Sequence, residues 1–171
     1  MNTRFENTCI YTYDCYLQLK KKTMDRSAQH TGMVLLAIFA ALAVLTVVKG
    51  WYLFTFAAMI AVVFLIFRLF LLPVVMARFA AKKNREIHGR DIETVNRFYE
   101  DHVLAVNTLN NNSTNIQYTQ VLKLIESKNL YIITMEKGLS LMIDKGGFTK
   151  GSREDFVQFM NEKCINAEVK L

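Results

Sequence analysis

The strongest constraint on this chain is a pair of apolar runs separated only by Lys49-Gly50. The first is GMVLLAIFAALAVLTVV, from Gly32 to Val48. The second is WYLFTFAAMIAVVFLIF, from Trp51 to Phe67, continuing through Arg68 to Leu72. A helix needs about 17–25 apolar residues to cross the hydrocarbon core of a bilayer. Neither run keeps one polar face, as the helix of a water-soluble core would. The pattern predicts a tight transmembrane hairpin over residues 31–49 and 51–72, within a segment 31–81. The flanking segments, 1–30 and 82–171, form the rest of the molecule.

Charge is distributed around this hairpin. The net charge is +6, and the C-terminal stretch 92–171 is near neutral, with nine Lys/Arg against ten Asp/Glu. The basic excess therefore lies beside the apolar runs, whereas a nucleic-acid binder carries it on the folded surface. Lys20, Lys21, Lys22 and Arg26 precede the first run; Arg78, Lys82, Lys83 and Arg85 come after the second; the turn holds only Lys49. The positive-inside bias places both termini in the cytoplasm of a multi-pass cell-membrane protein, with no nucleic acid among its partners. Trp51 and Tyr52 then fall at the outer interface. Trp51 to Arg68 spans about 27 Å at 1.5 Å per residue, so Arg68 marks the inner interface and its side chain snorkels to phosphates. The alternative role for Arg68 is a pore or gating charge. The membrane-interface set is thus Lys49, Trp51, Tyr52, Arg68, Arg78, Lys82 and Lys83. Pro73 is expected to bend the helix that leaves the bilayer, and 82–91 reads as a polar connector. No signal peptide is expected, since the first apolar run lacks a cleavage site.

The flanking segments change period. Residues 1–11 read as a strand, and a short amphipathic helix capped near Thr12 leads from it toward the membrane. Beyond the connector come short strands with turn signals. Asn110 to Ser113 is the clearest turn, because asparagine tolerates left-handed backbone. Leu130 to Met135 is the strongest strand and is expected at the centre. Ser152 with Asp155 starts a last helix, whose Phe156, Phe159, Met160, Lys163 and Cys164 form one packed stripe. Together these predict a curved antiparallel sheet plugged by a C-terminal helix.

This order resembles the YcxB-like family of bacterial membrane proteins, most specifically at Leu141-Met142-Ile143-Asp144-Lys145-Gly146-Gly147-Phe148 and the acid-capped helix after it. Asp144 stands where proline is usual in that family, and Tyr118 where tryptophan is usual. The resemblance implies a C-terminal domain like a pleckstrin-homology roll, and that residues 1–11 join its sheet. The expected fold class is therefore an α+β membrane protein, with a two-helix hairpin inserted between an N-terminal strand and helix and a PH-like antiparallel β-roll. The family implies no established activity.

No catalytic constellation is legible. His30, His88 and His102 stand apart from Cys or Glu at any metal-ligand spacing, Cys9 and Cys15 have no further ligands beside them, and the three cysteines read as reduced thiols. There is no P-loop, dinucleotide fingerprint or nucleophile elbow. Asp144 and Asp155 read as a strand end and a helix cap, not a carboxylate pair. The chain is expected to be no enzyme and to need no cofactor. The expected function is a binding or scaffold module that presents the PH-like domain to a protein, peptide or lipid partner, with Lys145, Lys150 and Arg153 the candidate head-group contacts. The alternative is a small oligomeric membrane pore or transport accessory, for which Ala37, Ala40, Ala41 and Ala43 would permit close helix approach.

Overall fold

A computed structural model describes residues 2–24, 26–165 and 167–170, with the side chains of Arg26, Lys137 and Lys170 outside the described set. Strand β1 (Phe5–Tyr11) leads into α1 (Tyr13–Thr23), and Thr12 turns the chain between them. Its hydroxyl accepts from the Cys15 amide at 3.5 Å, which satisfies one orphan donor of the first turn. Helix α2 (Arg26–Val48) starts several residues before the apolar run, because nothing between Arg26 and Gly32 breaks a helix.

The turn to α3 (Tyr52–Ile66) depends on Gly50, whose φ of +72° suits a residue without Cβ. Across the hairpin the Thr55 hydroxyl donates to Thr46 Oγ1 at 2.9 Å. Elsewhere both helices expose apolar side chains. Their apolar stretches, within Ser27–Val48 and Tyr52–His88, are 6% and 11% buried and long enough to cross a membrane.

The second helix does not end at Pro73. Residues Phe67–Leu71 form a π-turn, and α4 (Leu72–His88) continues from it. The Leu72 amide reaches back five residues to the Phe67 carbonyl. Proline has no N–H to donate, and the wider turn absorbs that missing bond without breaking the helix. The expected polar connector at 82–91 is likewise helical as far as His88. Its charges lie on the exposed side of α4, while Ala77 and Ala81 are buried. Only Gly89 to Asp91 link α4 to the next strand, and Arg85 grips Asp91 there through two bonds of 2.6 and 2.7 Å.

The remaining chain forms β2 (Ile92–Phe98), β3 (His102–Asn107), β4 (Ser113–Gln117), β5 (Val121–Glu126), β6 (Leu130–Met135), β7 (Ser140–Asp144), β8 (Phe148–Lys150), α5 (Arg153–Lys163) and β9 (Glu168–Lys170). Asn111, in the turn before β4, takes left-handed backbone at φ 55°. The expected single curved sheet is two sheets, ordered β4-β3-β2-β1-β8 and β7-β6-β5-β9. One pairing, β5 with β9, is parallel. Strand β1 sits between β2 and β8, so the two-sheet domain is closed by chain from both sides of the long helices.

Helix α5 fills the space between the sheets. Phe156 is fully buried and its ring lies 5.7 Å from Phe5, 4.9 Å from Phe98, 5.8 Å from Tyr131 and 5.1 Å from Phe148. Gly147 admits β1 at close range: a Cβ there would lie 2.0 Å from the Thr8 carbonyl oxygen. On its other face the second sheet packs Ile125, Leu130, Ile132 and Met142 with Cys9, Tyr16, Ala77 and Ala81. Strand β6 is therefore covered on both faces, which explains its near-continuous apolar sequence. Helices α1 and α4 also meet each other, and Asn84 donates to the Tyr16 hydroxyl.

Candidate functional site

The first turn of α1 stands beside the turns that end β5 and β7, leaving a cleft of about 770 Å³. Thr12, Asp14, Cys15 and Gln18 form one wall. Lys128, Asn129 and the run Asp144 to Gly146 form the other, and Arg153 at the start of α5 closes one end. Gln18 ties the walls together: it donates to Asp14 at 2.6 Å and accepts from the Asn129 amide at 3.3 Å.

Asp144 serves the backbone. Its carboxylate accepts from the Gly146 amide at 2.9 Å and so shapes the turn after β7. The Asn7 amide on β1 bridges to the same residue: it donates to the Asp144 carbonyl at 2.7 Å and accepts from the Asp144 amide at 3.2 Å. Asn7 is fully buried, so one amide side chain joins the two sheets through a pair of reciprocal bonds.

Of the three candidate contact residues, Lys145 and Arg153 both line the cleft. Lys145 is mostly covered. Its ammonium pairs with Glu126 and lies 5.1 Å from the centre of the Tyr131 ring, and it holds the Glu126 carboxyl below the usual range. Lys150 points elsewhere, its Nζ 3.2 Å from Asn2 Oδ1. Lys128 joins the two cleft cations from the turn after β5. In sequence it is only one of nine bases in a neutral stretch, and nothing in its spacing sets it apart.

The residues assigned to a membrane interface fall in three places. Lys49, Trp51 and Tyr52 are exposed at the turn between α2 and α3, where the Trp51 ring lies 5.9 Å from Phe54. Arg68 lies in the π-turn and shares a cavity of about 320 Å³ with Lys20, Met24, Leu72, Pro73 and Met76. Arg78 and Lys82 line a shallow hollow on α4 beside Tyr13, and Lys82 is 3.6 Å from Glu86. Lys83 is exposed on the same helix.

Beside the cleft lies a feature that residue spacing concealed: the turn at Thr12 brings Cys15 back alongside the Cys9 segment, and both pack in one cluster. Cys9 is fully buried at the end of β1, and Cys15, half-buried, packs on the same cluster from α1. The Cys15 sulfur accepts from the Thr12 hydroxyl at 3.4 Å and lies 3.3 Å from the Ile10 carbonyl oxygen, one residue from Cys9. The hydrogen bond from the Cys9 thiol lowers the Cys15 thiol to about 6; burial opposes this, and Thr12 adds to it. The same contact, with burial, pushes Cys9 above the usual thiol range. Cys164 lies apart in the core, where burial raises it to about 11. The pair was hidden because the six-residue separation meant nothing until the turn at Thr12 folded α1 back along β1. Among the described residues, no three His, Cys, Asp or Glu side chains converge as metal ligands would.

Residues 98–160 match the family model described as YcxB-like protein, the family that the sequence resembles. The match runs from the last residue of β2 into α5 and leaves out β1, α1 and both long apolar helices. No curated protein matches the chain.

Proposed function

We propose that this protein is an integral membrane scaffold: a two-helix hairpin in the cell membrane, holding a pleckstrin-homology-like two-sheet domain at the cytoplasmic face to bind a protein or peptide partner. The observation that carries this reading is the exposure of the two apolar helices while the domain keeps its own core. A water-soluble protein leaves no such area of leucine, valine and phenylalanine uncovered. In the proposed topology Trp51 and Arg68 bracket one hydrocarbon thickness. The helix beyond Arg68, as far as His88, then forms a stalk of about 30 Å, braced by α1. Arg78, about 15 Å along the stalk from Arg68, is the nearest of the 78–85 cations to the anionic inner leaflet, whose attraction falls off within a Debye length. The cleft beside α1, where Lys128, Lys145 and Arg153 stand among Asp14 and Asp144, is the domain's contact surface for a protein or peptide segment.

Two measurements test this. Reporter fusions to each terminus should be active only in the cytoplasm, and the protein should stay in the membrane after alkaline extraction; release to the soluble fraction overturns the anchoring. A photo-crosslinker placed in turn at Lys128 and at Leu109, a turn position remote from the cleft, should capture a distinct protein only from the cleft position. Equal capture from both positions removes the cleft as the contact surface.

A further inference from the structure

Cys15 stands in the wall of the contact cleft with Cys9 close by, and the pair carries the features of a reactive site. Cys15 lies on the first turn of an eleven-residue helix, where the dipole favours an anion. It accepts a hydrogen bond from Thr12, lines an open cleft and has a second thiol behind it. Low-pKa accessible thiols with a neighbouring cysteine are those that oxidise reversibly. Charged and titratable groups face the pair from every side. Tyr11, Asp14 and Tyr16 lie on β1 and α1, Asp144 and Lys145 on the turn after β7, Lys128 on the turn after β5, and Arg153 before α5. The three cations around the cleft offset the two carboxylates, and Lys145 is partly engaged by Glu126.

We propose that Cys15 and Cys9 form a peroxide-oxidisable thiol pair at the joint between β1 and α1, with Cys15 the attacking and Cys9 the resolving sulfur. The Cys15 thiolate attacks the distal oxygen of a hydroperoxide. The O–O bond breaks, the alkoxide or hydroxide takes up the proton that Cys15 released, and Cys15 becomes a sulfenic acid. The Cys9 sulfur then attacks the Cys15 sulfur; the S–O bond breaks, water leaves with the Cys9 proton, and a disulfide joins the two. Two thiols give up two electrons and the peroxide accepts them. Cys9 is fully buried in the cluster that Cys15 packs against, so a resolving thiol is held beside the sulfenic acid within the same chain. The disulfide pins the first turn of α1 to β1 near its end, at the N-terminal of the two chain connections between the domain and the apolar helices.

The test uses the full chain in detergent micelles. After brief exposure to hydrogen peroxide, maleimide should find one of the three thiols left, with Cys9 and Cys15 linked in the peptide map and both thiols restored by dithiothreitol. The rate of Cys15 alkylation should rise with a midpoint near pH 6, against about 8.5 for an unperturbed thiol. In Cys9→Ala, Cys15 should instead be captured as a dimedone adduct and its midpoint should move up. Three free thiols after peroxide, a bridge that includes Cys164, or a Cys15 midpoint at the ordinary thiol value overturns the proposal.

Discussion

Asn7→Asp replaces one amide nitrogen by oxygen and should be among the most damaging substitutions in the domain, with a pH signature that identifies the cause. The wild-type amide donates to the Asp144 carbonyl and accepts from its amide, fully buried between the sheets. A carboxylate there could still accept, but it would turn an oxygen toward the Asp144 carbonyl, with the Asp144 side chain close by. The protonated acid restores the pattern, its hydroxyl replacing the amide N–H. Folding therefore raises the pKa of the introduced carboxyl above its unfolded value of about 3.9.

The folded state then binds more protons than the unfolded chain, so stability falls as pH rises, by about 1.4 kcal/mol per pH unit. At pH 7 the loss reaches a ceiling of about 4 kcal/mol, and it shrinks to about 1.5 kcal/mol near pH 5. Urea unfolding in micelles, followed by tyrosine circular dichroism, measures both. Wild type should show no comparable slope over that range. A variant as stable as wild type at pH 7, or a deficit that does not change with pH, would refute the bridging role of Asn7.

Phe156→Ala removes the ring that touches four aromatic neighbours between the sheets, and should cost about 3–5 kcal/mol in the same unfolding assay. Gly147→Ala should separate β1 from β8, because the new methyl would lie 2.0 Å from the Thr8 carbonyl oxygen; faster hydrogen exchange at the Thr8 amide, whose acceptor is Gly147, reports it. Arg85 holds the Asp91 carboxyl below the usual range, first by its hydrogen bonds. That contribution is complete above the unfolded value of about 3.9 and is lost as pH falls through the lower folded value. Exchange at the start of β2 should therefore quicken in acid, and Asp91→Asn should abolish that dependence.

Much of this architecture is written in local pattern. Two apolar runs around Lys49-Gly50 form helices with no polar face, although the helices themselves run past the nearest charges. Thr12 and Ser152 announce their helices because an oxygen at the cap satisfies an amide that the helix cannot. The strength of β6 as a strand comes from its composition, although its cover on the second face comes from α1 and α4, far away along the chain.

Tertiary structure alone decided the rest. Pro73 predicts a missing hydrogen bond; that the chain answers with a π-turn and continues to His88 depends on Ala77 and Ala81 docking on the second sheet. The division into two sheets, the parallel β9 and the Asn7 bridge all require contacts between residues far apart along the chain, which no window of sequence contains. The cleft is of this kind too, since Cys15, Lys128 and Arg153 become neighbours only when β1 enters between β2 and β8. Period and capping are set by each residue's own backbone and its nearest neighbours, so one sequence suffices to read them. A site between elements is set by the packing free energy of the whole domain, and only the folded chain reveals it.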